Sequence, residues 1–225
     1  MVNNISKEDV INKIVEIIKI PFEEKGFSLK RKRFFEREDS NGNLLQYEIN
    51  LSKAKGYFGL HLMLRILNKP MLKKVNVFLK QALQDEMYYF PENWSENDVR
   101  EVIKGRVGSY TLAGLTDWNE FKKENESWEE FQKNFKIWMC WFDEIEEIAN
   151  WEKQLLKSID YAEEWFSVTA KDNEWIINNT LYPALYLLKE EKRFDELNQK
   201  YAEFTSQSFR NVEEIKLFYK YLMSS

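Results

Sequence analysis

His61 and Cys140 are the one histidine and the one cysteine among 225 residues, and they bound the chemistry available to this chain. Zinc ribbons, disulfide frameworks, HExxH zinc sites and the histidine pairs of di-iron bundles all need more of these side chains. A lone histidine can still act as a general base. His61 lies in Phe58-Gly59-Leu60-His61-Leu62-Met63-Leu64-Arg65-Ile66, where strand parity sets it beside Met63 and Arg65, opposite a leucine face. No serine or cysteine motif nearby offers a nucleophile, so the residue reads as a polar position on a sheet. Cys140 sits in Trp138-Met139-Cys140-Trp141. An activated thiol needs an accessible, electropositive setting, and aromatic neighbours predict a packed core thiol instead.

Two charge runs are the remaining sources of chemistry. Asp143-Glu144-Ile145-Glu146-Glu147 is acidic. On a helix Asp143 and Glu147 stand one turn apart and share a face, which with Glu144 forms a patch suited to a basic partner protein. Lys30-Arg31-Lys32-Arg33 is basic. On a single strand its side chains split two and two across the sheet, whereas a nucleic-acid groove gathers cations on one surface with aromatics for stacking. Phe34 and Phe35 follow directly, so a nucleic-acid-binding module using Lys30, Arg31, Lys32 and Arg33 stands as an alternative. The acidic balance argues against it: residues 1–70 carry 13 Lys and Arg against 9 Asp and Glu, and the rest carry 20 against 29. Gly105 and Gly108 lack the Lys-Ser/Thr of a phosphate loop. The sequence therefore assigns no catalytic residue, metal ligand or cofactor.

These residues are carried on elements that the hydrophobic periodicity outlines. Ser6 and Asp9 form a capping-box pattern, and Val10, Ile11, Ile14, Ile17 and Ile18 recur at helical spacing. Pro21 predicts a kink or an end near Ile20, and Gly26 a stop. The period then becomes two. Phe27–Glu38 reads as one strand, Ser40-Asn41-Gly42-Asn43 as a turn, and Leu45, Tyr47, Ile49 and Leu51 as the buried side of a second strand. Phe58 to Ile66 form a third, with Gln46, Glu48, His61 and Arg65 on the polar face. Pro70 opens a helix, residues 84–116 are broken by Pro91 and three glycines with a short helix after Ser95, and Tyr110–Leu115 supply a fourth strand. Asp117 and Ser127 cap two further helix starts. The stripe Phe131, Phe135, Trp138, Phe142, Ile145 and Ala149 predicts one long central helix, and four helical segments follow.

The fold class is therefore α+β: an N-terminal helix and a three- or four-strand antiparallel meander, followed by a mostly helical C-terminal half. The expected division is an α+β domain over residues 1–115 and a helical region over 116–225. Aromatics make up 16% of the chain, enough for a substantial core, and all eight tryptophans fall between Trp94 and Trp175. They read as packing between helices and against the sheet, and any exposed one as a partner-binding anchor. No apolar run spans a membrane, and the N-terminus lacks the basic flank and apolar stretch of a signal peptide, which predicts a cytoplasmic protein.

Ile17-Ile18-Lys19-Ile20-Pro21-Phe22-Glu23-Glu24-Lys25-Gly26-Phe27, then Phe34-Phe35-Glu36-Arg37, a polar hairpin, Tyr47-Glu48-Ile49-Asn50-Leu51 and Tyr57-Phe58-Gly59-Leu60 form a recognisable series. Over about residues 10–66 it resembles an uncharacterised bacterial domain family of unknown function, whose members share a helix, a Gly-Phe start, an aromatic-Arg strand and a meander. Some members occur beside polymorphic toxins and are proposed immunity proteins. The resemblance implies a non-enzymatic, protein-binding role in which the chain covers a basic protein toxin. The contact surfaces expected are Asp143, Glu144 and Glu147, and the polar sheet face at Gln46, Glu48, His61 and Arg65. An enzyme centred on His61 is the remaining alternative, and it requires an acid within hydrogen-bond reach of that ring.

Overall fold

The computed structural model describes residues 5–207 and 211–225 and shows an α+β protein. The chain groups into two compact units that interleave along the sequence. One comprises the segment ending at Leu67 together with Ala113–Thr169, and the other comprises Asn68–Leu112 and Ala170–Ser225. This replaces the expected break between residues 115 and 116. Its cause is that two helices inserted after the meander pack with the C-terminal helices, while the segment after residue 113 returns to the sheet. No helix among the described residues is long and apolar enough to cross a membrane.

In the first unit, helix α1 (Lys7–Glu24) begins at a capping box between Ser6 and Asp9. It continues through Pro21 to Glu24, rather than ending near Ile20. The turn after Pro21 is held by Phe22, which is fully buried and stacks on Phe35 at 4.5 Å between ring centroids. Gly26 then takes φ 82°, a left-handed conformation that costs glycine little.

Strands β1 (Ser28–Lys30), β2 (Phe34–Glu38), β3 (Leu44–Ala54) and β4 (Tyr57–Leu67) form an antiparallel meander in that order. Residues 27–38 are thus two strands rather than one. Arg31 and Lys32 adopt φ 48° and 63°, and the Arg33 amide donates to the Lys30 carbonyl at 3.2 Å. That is a two-residue turn of the primed kind, matched to the twist of the flanking strands. The register pairs Gln46 with Arg65, Glu48 with Met63, Asn50 with His61 and Ser52 with Gly59. Strand β5 (Thr111–Leu115) lies on the other side of β4.

The segment after Ser127 is not one helix. Helix α4 (Trp128–Phe135) ends in a 3-10 turn, and the chain then extends as strand β6 (Met139–Phe142). Phe142, Trp141, Cys140 and Met139 stand opposite Phe58, Gly59, Leu60 and His61. Cys140 and Phe142 are buried while Met139 and Trp141 are exposed, an alternation only a strand gives. The free edge of β4 supplied the backbone partner. Helix α5 (Trp151–Val168) then packs beside α1. Contacts to the sheet's inner face include Tyr47 against Phe22 and a hydrogen bond between Tyr47 and Ser158.

The second unit is helical. Helix α2 (Lys69–Leu83) carries Pro70 in its first turn, and α3 (Glu96–Gly108) starts at a Ser95–Asp98 capping box. Helices α6 (Asn173–Asn179) and α7 (Tyr182–Glu190) follow one another, with Pro183 in the first turn of α7. Helices α8 (Phe194–Ser206) and α9 (Val212–Met223) complete it. Phe78 of α2 meets Tyr186 of α7 and Phe218 of α9 at ring separations of 6.4 and 6.2 Å.

Candidate functional site: the outer sheet face

Because α1 and α5 cover one face of the sheet, strand parity sends a second set of side chains to the other. Phe34, Glu36, Gln46, Glu48, Asn50, His61, Met63, Arg65, Met139 and Trp141 share that outer face. The structure therefore gathers Gln46, Glu48, His61 and Arg65 on one surface, as their alternation predicts.

Their availability differs from that expectation. Arg65 Nη1 donates to Glu48 Oε2 at 2.5 Å, and Gln46 Nε2 donates to Glu36 Oε1 at 2.7 Å. Glu48 and Gln46 are buried by these neighbours. The polar residues satisfy one another and make a floor rather than reaching outward. His61 Nε2 lies 2.7 Å from the Thr116 carbonyl oxygen and so carries its proton there. A backbone acceptor, not a carboxylate, is the partner this ring has found, so the constellation the enzyme reading required is not assembled around it.

What projects from the face is apolar. Trp141 is 59% exposed, Met139 55% and Tyr57 51%. All three follow the same parity, Tyr57 standing diagonally to Trp141 across the β4–β6 pair. The indole of Trp141 lies over Gly59, and a Cβ built there would meet its ring carbons at 2.9 and 3.0 Å. A missing side chain on β4 thus gives the indole its seat. The sequence reading placed Trp141 on a helix among core residues and missed Met139 and Tyr57 as surface groups. All four residues of Met139-Cys140-Trp141-Phe142 are apolar, so no alternation of residue type marks the strand, and it is the pairing of β6 with β4 that turns Met139 and Trp141 outward.

The acidic run follows β6 directly. Asp143 and Glu144 are in loop, and Glu147 ends a 3-10 turn, Ile145–Glu147. The run is not α-helical, so Asp143 and Glu147 do not share a helix face. Burial of Ile145 and Ile148 pins the turn and leaves Asp143, Glu144 and Glu147 exposed. Glu146 is engaged by Lys13 of α1 at 2.5 Å, which holds its carboxyl below the ordinary value. Cys140 points to the inner face, and burial pushes its thiol up to about 12, so it stays protonated.

The basic tetrad is the β1–β2 turn, not a strand with two residues on each face. Arg31 and Arg33 both lean on the Phe34 ring, at 5.7 and 4.9 Å from its centroid, and Lys32 pairs with Glu8. Phe35 is in the core. The aromatic faces that base stacking would use are thus already occupied.

Comparison of the chain with protein-family profiles, with curated proteins and with solved structures finds no match.

Proposed function

We propose that the chain is a protein-binding domain that docks its partner on the outer sheet face, with Trp141 as anchor. The observation that carries this reading is the seating of Trp141. Its indole is fixed over Gly59 yet more than half exposed. A large side chain held in place before binding loses little freedom on binding, which is the property of an interface hot spot. Met139 and Tyr57 extend the apolar surface, and the satisfied pairs Arg65–Glu48 and Gln46–Glu36 beside it form a polar surround.

Asp143, Glu144 and Glu147 border the anchor through the chain that leaves β6. Their charge favours a basic partner and would speed its approach. Together with the likeness of residues 10–66 to a family with proposed immunity members, this supports neutralisation of a basic protein toxin by covering its working surface.

The test is co-expression in bacteria with the product of a neighbouring toxin gene, followed by isolation of the complex. Protection and a stable complex are expected. Trp141→Ala should weaken the complex about tenfold or more. Absence of both protection and complex, or full affinity in the Trp141→Ala protein, would overturn the reading.

A further inference from the structure

We infer that the second unit holds a separate site for a small carboxylate ligand with an apolar body. Between the last turns of α2 and one face of α3 lies a cavity of about 700 Å³, within the range of sites that take small organic molecules. Its floor is apolar. Val99, Ile103 and Val107 recur every four residues along α3 and face Leu83 of α2. Only Ile103 of these three is buried, so the described residues leave this stripe partly uncovered. Tyr88 and Phe90 wall one side, edge to face with their centroids 4.8 Å apart.

The rim selects the charge of the occupant. Lys80, Arg100 and Lys104 line it, against Asp85 and Glu96. Asp85 is already committed: it accepts from Tyr221 Oη at 2.6 Å, from Lys220 Nζ at 2.9 Å and from the Met87 amide at 2.9 Å. Glu96 stands in the first turn of α3, where the helix N-terminus offsets its charge. Lys104 reaches Glu101 on its own helix at 3.2 Å. Lys80 and Arg100 are engaged by no carboxylate among the described residues. An apolar floor under two uncommitted cations fits a carboxylate on an aliphatic body. It disfavours a neutral or cationic amphiphile of the same shape.

This site does not depend on the sheet-face reading, and calorimetry on the full chain tests it alone. Octanoate, octanol and octylammonium serve as probes of one chain length. Octanoate should bind one to one, at least tenfold tighter than the other two. Lys80→Ala with Arg100→Ala, both at exposed positions, should remove that tenfold preference. Val99→Phe, which fills the cavity from a half-exposed position, should weaken octanoate binding by a similar factor. Trp141→Ala should leave it unchanged. No octanoate binding, equal affinity for the three probes, or octanoate affinity that survives both cavity variants would overturn the proposal.

Discussion

Trp141 occupies the space that a side chain at Gly59 would need: a Cβ there would stand 2.9 Å from Trp141 Cη2 and 2.8 Å from Ser52 Oγ. Gly59→Ala should therefore expel the indole rather than deform the ladder, because backbone pairing with Ser52 and Trp141 fixes the strand on both sides. Overpacking of this kind costs about 1 to 3 kcal/mol, and the exposed indole can swing away, which sets the expectation near the lower end. Tryptophan fluorescence should shift, and partner binding should fall as far as it does in Trp141→Ala. In a double-mutant cycle the two losses should not add. Additive losses would show that the indole binds without needing its seat on Gly59.

The same pair shows where local sequence carries structural information and where it does not. Parity along residues 44–66 placed Gln46, Glu48, His61 and Arg65 on one face, because alternation is a local property of a strand. The capping boxes at Ser6 and Ser127 are likewise local, three residues from donor to acceptor. Strand β6 was hidden because Phe131, Phe135, Phe142 and Ile145 are buried whether the chain is helical or not, so their spacing fitted a helix. What decides the matter is the free edge of β4, some eighty residues earlier in the chain. The turn at Arg31 and Lys32 carried no glycine or asparagine to announce it, and the chain accepts positive φ at two long side chains. Nor does parity reveal that Glu48 and Gln46 have already found partners, since pairing depends on rotamers.

Ser158 couples α5 to the sheet through a buried relay. Its hydroxyl donates to the Leu155 carbonyl at 2.6 Å, so the Tyr47 hydroxyl must be the donor in their 2.8 Å contact. Burial raises the Tyr47 phenol far above its ordinary range, and it stays neutral throughout. The two deletions are then unequal. Tyr47→Phe removes one neutral hydrogen bond and should cost about 1 kcal/mol, whereas Ser158→Ala strands a buried phenolic donor and should cost about 2 kcal/mol. Urea denaturation of the two variants checks the order. Equal or reversed losses would mean that Tyr47 finds a second acceptor.

Glu214 is one carboxyl through which acid should act on the second unit; Asp85, held down to about 2 by hydrogen bonds from Tyr221, the Met87 amide and Lys220, is another. The Glu214 carboxylate is 2% exposed. It accepts a two-pronged contact from Arg106, with Nη1 at 2.5 Å, and hydroxyl donors from Tyr182 and from Tyr88, the latter at 3.0 Å. Burial alone pushes this carboxyl up. The Arg106 and Tyr182 hydrogen bonds and the Arg106 charge outweigh it, so the folded value lies below the ordinary 4.5. A carboxyl depressed on folding stabilises fully above its unfolded value and loses that contribution as pH falls through the folded one. Acid sensitivity from this group should therefore set in below about pH 4.5 and leave neutral conditions untouched. Glu214→Gln should lower stability at pH 7 by about 3 kcal/mol, at the low end for a broken buried pair because Arg106 can regain water. The variant should also lose part of the acid-induced decline seen in the parent. Urea titrations of both proteins at a series of pH values give the comparison, and parallel acid limbs would show that Glu214 is not one of the groups titrating.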